Sequence, residues 1–172
     1  MSAPHFLEPT DPTAALAALR ETCRSIVLAT VAADGVPDAS YAPYVVEPGS
    51  TGALLILVSR LARHTTNLLQ SRTGSAMLIE DESATGQIFA RRRITLSCRV
   101  EPIERRTAAW TSGLAALEAR HGAIVATLRD LADFELLRLV PERGTLVLGF
   151  GRAFRLGGPG CTELVPIGPP AS

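Results

Sequence analysis

Two clusters of arginine indicate that this chain binds an anion. The first is Ser59–His64, with the sequence SRLARH, and the second is Arg91–Thr95, with the sequence RRRIT; each adjoins a segment predicted as a β-strand. Arginine carries a planar fork of donors that binds phosphate or carboxylate oxygens in pairs, and it stays charged at physiological pH. Arg63, His64 and Arg93 are therefore the candidates to hold an anionic cofactor.

Three small polar residues could complete such a site by donating hydrogen bonds, namely Ser40, Ser59 and Asn67. The simpler explanation stays open for each of them, because Ser and Asn are common turn residues. An Arg-His pair is likewise common on the solvated face of a helix. Three adjacent arginines beside a hydrophobic strand are different, since something anionic must offset their mutual repulsion.

No catalytic side chain can be named from the sequence. His121 falls on the apolar stripe of a predicted helix, where a packed histidine is more common than a ligand. The carboxylates of 80–82 are consecutive, so an extended chain points them to opposite sides. The spacing predicts no Ser-His-Asp arrangement, paired-carboxylate site, H-E-x-x-H motif or metal site. A cofactor that brings its own chemistry is therefore favoured.

The composition excludes several classes of protein. Seventeen acidic residues balance seventeen basic ones, so no net field recruits nucleic acid or an anionic membrane. All seventeen basic residues are arginine, which rules out a lysine Schiff base and the lysine of a P-loop. The three cysteines form no C-x-x-C pair, and the apolar runs are far too short to span a membrane. We expect a soluble cytoplasmic protein without a nucleic-acid or membrane partner.

The hydrophobic pattern predicts about seven strands and three or four helices. Asp11 and Pro12 are typical of a helix N-terminus, and Asp34-Gly35 is typical of the turn of a β-hairpin. The pattern predicts a single helix from Thr107 to about Leu128. The remaining elements are expected at 25–32, 36–47, 53–59, 75–79, 93–104, 134–140 and 145–154 for strands and at 62–70 for a short helix.

Antiparallel hairpins with helices inserted between them indicate a mainly β, α+β domain built on a closed or half-closed barrel. With 172 residues and 47% hydrophobic content, the chain can bury one substantial core. We expect one domain over 1–156. Because 157–172 is dominated by Gly, Pro and small residues, we expect a C-terminal tail or an arm that lies on a partner.

Five short motifs, in this order along the chain, resemble one protein family. They are Leu28-Ala29-Thr30 with Gly35-x-Pro37, Ser40-Tyr41-Ala42-Pro43, Ser59 to Leu68, Arg93-Ile94-Thr95-Leu96 and Gly149-Phe150-Gly151-Arg152-Ala153. The pattern resembles the pyridoxamine 5'-phosphate oxidase-like FMN-binding split barrels, most closely their haem-utilisation branch, the HugZ/HutZ-like proteins. The likeness covers about 16–154.

The resemblance implies a six-stranded antiparallel split β-barrel with flanking helices, which forms a homodimer and holds FMN at the subunit interface. By position, Arg63 and His64 match the basic pair that grips the FMN phosphate, with His64 where the oxidases have lysine. Arg93 matches a side chain that reaches the flavin or phosphate edge, and Ser40 matches the first flavin-contacting strand position. The resemblance thus implies an FMN-dependent oxidoreductase in which hydride transfer belongs to the flavin.

Two alternatives stay open. Members of the haem-utilisation branch that bind haem use a histidine of the C-terminal tail as axial ligand, assisted by an aspartate before a phenylalanine, which matches Asp133-Phe134 here. Residues 155–172 contain no histidine, so His64 or His121 would have to bind the iron, and the arginines would pair with the propionates. The second alternative is a non-enzymatic protein that binds flavin, haem or another anion.

Overall fold

The computed structural model describes residues 11–168. Among these residues, no helix is both long enough and apolar enough to cross a membrane. The helices and strands are α1 Pro12–Thr22, β1 Ser25–Val31, β2 Pro37–Val46, β3 Leu54–Ser59, α2 Arg63–Ser71, β4 Thr73–Ile79, β5 Arg93–Ile103, α3 Ala108–His121, α4 Ile124–Arg129, β6 Phe134–Gly149, β7 Arg152–Gly157 and β8 Glu163–Pro166.

Six of the strands close into an antiparallel barrel. Their order is β3-β2-β1-β4-β5-β6, and β3 also pairs with β6, which closes the barrel. β7 pairs with the second half of β6, and β8 pairs with β7, so these two strands extend the sheet beyond the barrel. The structure confirms the predicted fold class, a mainly β, α+β six-stranded split barrel with flanking helices.

Local sequence signals account for the first elements. The Asp11 carboxylate accepts a hydrogen bond from the backbone N–H of Ala14 at 3.3 Å, and Pro12 occupies the first turn, so α1 begins where the sequence predicts. Gly35 takes a φ of 84° between β1 and β2, a conformation that glycine adopts without the steric penalty of a Cβ. The helix start and the hairpin are therefore both confirmed.

The helix predicted over 107–128 is wrong, because the structure has two helices in that region. Gly122 takes a φ of 86° and its N–H bonds the carbonyl oxygen of Glu118, which ends α3 at His121. The chain then starts again as the short helix α4. A glycine within an apolar helical pattern was the signal for this break.

The division of 134–154 into two strands joined at 141–144 is also wrong, since β6 runs through that turn. The register between β5 and β6 is irregular near Pro141, which accommodates a residue that has no N–H to donate to the sheet. At Gly144 the two strands approach closely, and an added Cβ would lie 2.6 Å from the carbonyl oxygen of Thr95. β6 therefore bends and continues, and the true turn to β7 follows Gly149.

The inner faces of the strands build the main core. Along β1, Ile26 and Leu28 are buried while the residues between them are exposed, as the alternation of a strand requires. A second cluster lies outside the barrel, where Trp110 of α3 packs with Leu55 and Leu136. Burial of a leucine or isoleucine side chain contributes roughly 1.5–3 kcal/mol, so these two clusters hold the barrel and α3 together.

Part of the segment predicted as a tail lies in the sheet. β8 pairs with β7, and a 3₁₀ turn at Pro159–Cys161 connects the two strands. The Arg20 guanidinium donates to the carbonyl oxygen of Gly160 at 2.8 Å, and Gly160 packs directly on the backbone of Thr51. The turn thereby ties the end of the described chain to α1 and to the turn between β2 and β3.

Substitution of Gly160 by alanine is expected to lower the free energy of unfolding by roughly 3 kcal/mol. The residue has a φ of +66°, and an added Cβ would overlap the carbonyl oxygen of Thr51. Gly157→Ala is the matched control, because nothing lies within 4 Å of its added Cβ. Urea unfolding of both variants measures the effect; equal midpoints would contradict the tight contact.

Candidate functional site

A short hydrogen-bonded turn fixes where α2 begins. The Ser59 hydroxyl at the end of β3 donates to the Asp133 carboxylate and accepts a hydrogen bond from the backbone N–H of Leu61 at 3.1 Å. The Thr65 hydroxyl, in the first turn of α2, donates to the carbonyl oxygen of Ser59 at 2.6 Å. The first turn of the helix, which carries Arg63 and His64, is thus held by both β3 and the residue before β6.

A buried hydrogen bond holds the same helix against the barrel. The Asn67 side-chain amide donates to the Thr30 hydroxyl of β1 at 2.9 Å, and each residue is only 3% exposed. A buried amide without such a partner would cost free energy, so this bond fixes the position of α2. Ser59 and Asn67 therefore position the site, and direct contact of either residue with a cofactor stays a prediction.

The two strands and the helix bring His64 to Asp38. Asp38 of β2 lies directly opposite Thr30 of β1 in the sheet register. His64 precedes Asn67 by three residues, so both point from the same side of α2. Because Asn67 bonds Thr30, His64 lies near enough to Asp38 to feel its charge, with no hydrogen bond or ion pair between them, and both side chains are half-buried.

Burial keeps the His64 imidazole uncharged near neutral pH. It lowers the pKa of His64 below the ordinary value of 6.5, since the charged form loses hydration, and the Asp38 carboxylate partly offsets the shift by attracting the imidazolium. A neutral imidazole has a free nitrogen lone pair and can ligate a metal. It is a weaker partner for phosphate than the lysine of the oxidases, whose ammonium remains charged.

Ser40 adds a polar atom that lacks a partner. It lies two residues from Asp38 on β2, so the two side chains share one face of the strand. The Ser40 hydroxyl oxygen is buried and makes no hydrogen bond with the described residues. Buried hydroxyls are usually satisfied, which makes this oxygen available to a bound molecule.

Arg63 differs from its neighbour in the same cluster. Arg60 is bonded to the Glu135 carboxylate, with its Nε 2.6 Å from Oε1. Within residues 11–168, Arg63 forms no ion pair and no side-chain hydrogen bond, and it is exposed at the start of α2. In the part of the chain that the structure describes, Arg63 is therefore the arginine of the first cluster without a carboxylate partner, and it can bind an external anion.

The second arginine cluster also contains both arginines bonded to carboxylates and an arginine without such a partner. Arg92 is bonded to the Glu80 carboxylate, and Arg91 donates to the Glu82 carboxylate at 2.9 Å. Carboxylates of the preceding loop thus offset part of the repulsion that the sequence alone attributes to a ligand. Arg93 is the exception, since its guanidinium donates to the backbone carbonyl oxygen of Arg91 at 3.0 Å and forms no ion pair within the described residues.

The fold of a single chain does not bring Arg93 to Arg63. Ala29 of β1, Ser75 of β4 and Ser97 of β5 lie in one row of the sheet, next to Thr30 at the α2 end. Arg93 is four residues from Ser97 along β5, which separates the two residues by about 13 Å. Arg93 lies on the outer face of the sheet, whereas the next residue, Ile94, is buried inside the barrel. The structure therefore joins Ser40, His64 and Arg63 at one end of the barrel and leaves Arg93 apart from them.

Asp38 is the site residue that sequence reasoning missed. The available signal was the two-residue spacing from Ser40 on a strand, which places both residues on one face. Its neighbour His64 is 26 residues away in the sequence, and only the packing of α2 on β1 and β2 joins them. Among residues 11–168, no group of three or more His, Cys, Asp or Glu side chains is arranged to hold a metal ion.

The comparison with protein families agrees with this geometry. The family model described as pyridoxamine 5'-phosphate oxidase matches residues 12–148, which include the whole barrel apart from the last residue of β6. The chain belongs to the pyridoxamine 5'-phosphate oxidase family. The resemblance inferred from the five motifs is confirmed.

Named relatives place the chain near the haem-utilisation branch of that family. The heme oxygenase HutZ of Vibrio cholerae is 38% identical over 148 residues, covering 86% of this chain and 82% of HutZ. A crystal structure of HutZ, described as a heme storage protein, matches with a TM-score of 0.71 and covers 78% of this chain and 92% of that one. Campylobacter jejuni ChuZ is 25% identical with a TM-score of 0.80, covering 91% of this chain and 63% of ChuZ.

The His64 imidazole is expected to titrate below pH 6.5, because burial disfavours its charged form. NMR of the ring C–H signals across pH measures this pKa. Asp38→Asn is expected to lower it further, since the carboxylate favours the imidazolium, whereas Asp81→Asn in the exposed β4–β5 loop should leave it unchanged. The unfolded chain then binds the proton more readily, so stability falls as pH drops below 6.5. An unshifted titration in the wild type would contradict the packing of His64.

Proposed function

We propose that this protein binds haem and degrades it. The observation that carries the proposal is the pairing, in one helical turn, of a neutral half-buried imidazole with an arginine that has no carboxylate partner within residues 11–168. Haem can use both groups, because its iron can take a neutral nitrogen and its propionates take cations. FMN has a phosphate that takes a cation but no iron that takes a nitrogen ligand.

The residues present fit haem at each of its chemical parts. His64 can bind the iron, Arg63 and Arg93 can pair with propionates, and the buried Ser40 hydroxyl can hydrogen-bond a carboxylate oxygen. Bound haem would supply the iron at which oxygen chemistry takes place. The role of this chain would be to bind the propionates, to orient the His64 imidazole and to donate a hydrogen bond from Ser40 to a carboxylate oxygen.

The named relative supports haem in preference to FMN. HutZ is described both as a heme oxygenase and as a heme storage protein, and it is 38% identical to this chain. The flavoprotein first expected from the family resemblance is the second candidate, because Arg63 at the start of α2 suits a phosphate. The reduced basicity of His64 weighs against it, since the imidazole adds no positive charge at neutral pH.

We also propose that the protein acts as a homodimer through the outer face of β1 and β2. Val31 and Tyr41 on this face are 54% and 70% exposed, and small apolar residues lie between them. Exposed apolar faces of this kind usually mark an association surface. A second copy of the chain is the proposed partner, because association of two chains could bring Arg93 of one chain near Arg63 of the other.

Arg63→Ala and Arg93→Ala are each expected to weaken hemin binding roughly tenfold, since each removes a charge-assisted hydrogen bond to a propionate. Their matched controls are Arg60→Ala and Arg92→Ala, which remove arginines that are already bonded to carboxylates. Titration followed at the Soret band gives the affinities. Equal losses in all four variants would indicate a general charge effect and would contradict the assignment.

The same preparation tests the flavin candidate and the activity. Titration with FMN, followed by flavin fluorescence, is expected to show weaker binding than hemin; tighter binding of FMN would reverse the order of the two candidates. Addition of ascorbate under air is expected to bleach the Soret band of the complex, with catalase present to remove free peroxide. A Soret band that does not bleach would agree with haem binding but would exclude haem degradation under these conditions.

Tyr41→Asp is expected to weaken self-association about a hundredfold, because it places an unpaired carboxylate in the proposed interface. Sedimentation velocity measures the mass at a series of concentrations. Ile124→Asp is the control, since Ile124 is 57% exposed on α4, away from the outer face of β1 and β2. A wild-type monomer at all concentrations, or a dimer that persists in Tyr41→Asp, would contradict the interface.

A further inference from the structure

We propose that a cleft beside α1 binds a small aromatic carboxylate, at a site distinct from the one assigned to haem. The cleft, which we call the α1 cleft, lies between residues 15–25 and residues 79–92. Its walls are α1, the connection from α1 to β1, the end of β4 and part of the segment between β4 and β5. Its volume of about 540 Å³ falls within the range of roughly 300–1,000 Å³ that is usual for small-molecule sites.

The α1 cleft lies at the opposite end of β1 from Arg63 and His64. Ser25, the first residue of β1, lines the cleft, whereas Thr30 near the other end of the strand bonds Asn67 of α2. Five residues of extended strand separate Ser25 from Thr30, which corresponds to about 17 Å. A small molecule in the cleft therefore leaves the first turn of α2 free.

One face of α1 forms an apolar wall. The residues of the helix that line the cleft recur every three or four positions, on one side of the helix, and are Ala15, Ala18, Leu19 and Thr22. The two alanine side chains end at Cβ and so leave room for a ligand beside the helix. Ile79 of β4 adds a further hydrocarbon surface. Such a wall suits a flat ring or another apolar body.

The carboxylates of the polar wall are already hydrogen-bonded. Glu80 accepts hydrogen bonds from Arg92 at both oxygens, from the side-chain Nε at 2.9 Å and from the backbone N–H at 3.4 Å. Arg91 donates to the carbonyl oxygen of Glu80 at 3.0 Å and to the Glu82 carboxylate at 2.9 Å. The exposed Asp81 carboxylate accepts a backbone N–H bond within its own loop at 2.8 Å. A cationic ligand would therefore compete with bonds that the protein itself makes.

The arginines of the cleft, in contrast, keep donors for a ligand. Arg24, Arg91 and Arg92 line the cleft together with two carboxylates, which leaves an excess of one positive charge. Within residues 11–168, Arg24 donates one side-chain hydrogen bond, to the carbonyl oxygen of Arg120 at 3.0 Å, and so retains most of its N–H donors. A guanidinium binds a carboxylate through two parallel bonds and stacks on aromatic faces. A singly charged aromatic carboxylate matches this charge, whereas a doubly charged phosphate exceeds it.

Cys23 makes occupancy of the α1 cleft measurable. Its thiol lines the cleft and is half-buried, with Sγ 3.6 Å from the carbonyl oxygen of Ile79. The other two cysteines, Cys98 and Cys161, are only 3% and 0% exposed. Burial raises the pKa of the Cys23 thiol, so its alkylation needs a mildly alkaline buffer. A ligand in the cleft is expected to slow this alkylation.

Naphthoate is an aromatic carboxylate that tests the site directly. Equilibrium dialysis measures its affinity for the wild-type protein, and mass spectrometry in the same buffer measures how it changes the alkylation of Cys23 by iodoacetamide. We expect saturable binding, protection of Cys23 over the same concentrations, and roughly tenfold weaker binding of the uncharged naphthamide. Absence of saturable binding, binding without protection of Cys23, or equal affinities for the two compounds would each overturn the proposal.

Two variants of α1 locate the ligand. Ala18→Phe is expected to fill the cleft and to abolish naphthoate binding, because Ala18 lines the cleft. Ala17→Phe is the matched control, since Ala17 is likewise exposed on α1 but does not line the cleft. Undiminished binding in Ala18→Phe, or an equal loss in both folded variants, would overturn the location.

A charge variant tests the polar wall even if Ala18→Phe does not fold. Arg24→Gln, at an exposed position, is expected to weaken naphthoate binding roughly tenfold, because it removes the excess positive charge. Arg155→Gln is the control, since Arg155 is exposed on β7 and does not line the cleft. Equal affinities of the wild type and Arg24→Gln would overturn recognition of the carboxylate by this wall.

Competition with hemin separates the α1 cleft from the haem site. Excess naphthoate is expected to leave the hemin affinity of the wild type unchanged, and Ala18→Phe is expected to bind hemin as the wild type does. Displacement of hemin by naphthoate would overturn the assignment of a distinct site. A wild-type protein that binds naphthoate but no hemin would overturn the haem proposal and support that of the cleft.

Discussion

The pairing of β3 with β6 is the constraint on which the rest of the molecule depends. It joins 54–59 to 134–139 residue by residue and turns an open sheet into a closed barrel, so neither strand is left with a row of unpaired backbone groups. The same register places Ser59 opposite Phe134, which brings the Asp133 carboxylate within reach of the Ser59 hydroxyl. The pairing that closes the barrel therefore also fixes the residue at which α2 begins.

The position of α2 in turn decides which polar groups meet. The Asn67–Thr30 bond gives the buried Asn67 amide a partner, and the same packing places His64 near Asp38 of β2. Burial then lowers the pKa of the imidazole, because the charged form loses hydration. The geometry thus makes His64, which the sequence presents as half of a basic pair, a weaker base than an exposed histidine.

Each arginine cluster contains a guanidinium with an internal carboxylate and one without. Arg60 and Arg92 are bonded to Glu135 and Glu80, whereas Arg63 and Arg93 form no ion pair within the described residues. A bonded arginine stabilises its loop and has fewer donors left for a ligand. Arg63 has no side-chain hydrogen bond among the described residues and Arg93 donates only to the carbonyl oxygen of Arg91, which is why these two arginines are proposed to bind a cofactor.

The sequence by itself determined the barrel class, the family, the first helix, the hairpin at Gly35 and the candidate residues Arg63, His64 and Arg93. These follow from short-range signals, namely alternation along strands, a capping aspartate, a turn glycine and charged motifs in order. Sequence reasoning divided β6 and joined α3 to α4, because a proline at an irregular register and a single glycine have effects that depend on the neighbouring strand and helix.

Only the tertiary structure decided the lowered pKa of His64, its proximity to Asp38 and the separation of Arg93 from Arg63. Those properties depend on which residues lie next to one another across strands far apart in the chain, and on how much water they lose there. A pattern of residue types specifies neither the spatial neighbours of a residue nor its loss of hydration, and these surroundings in the folded protein set the free energy of a charge.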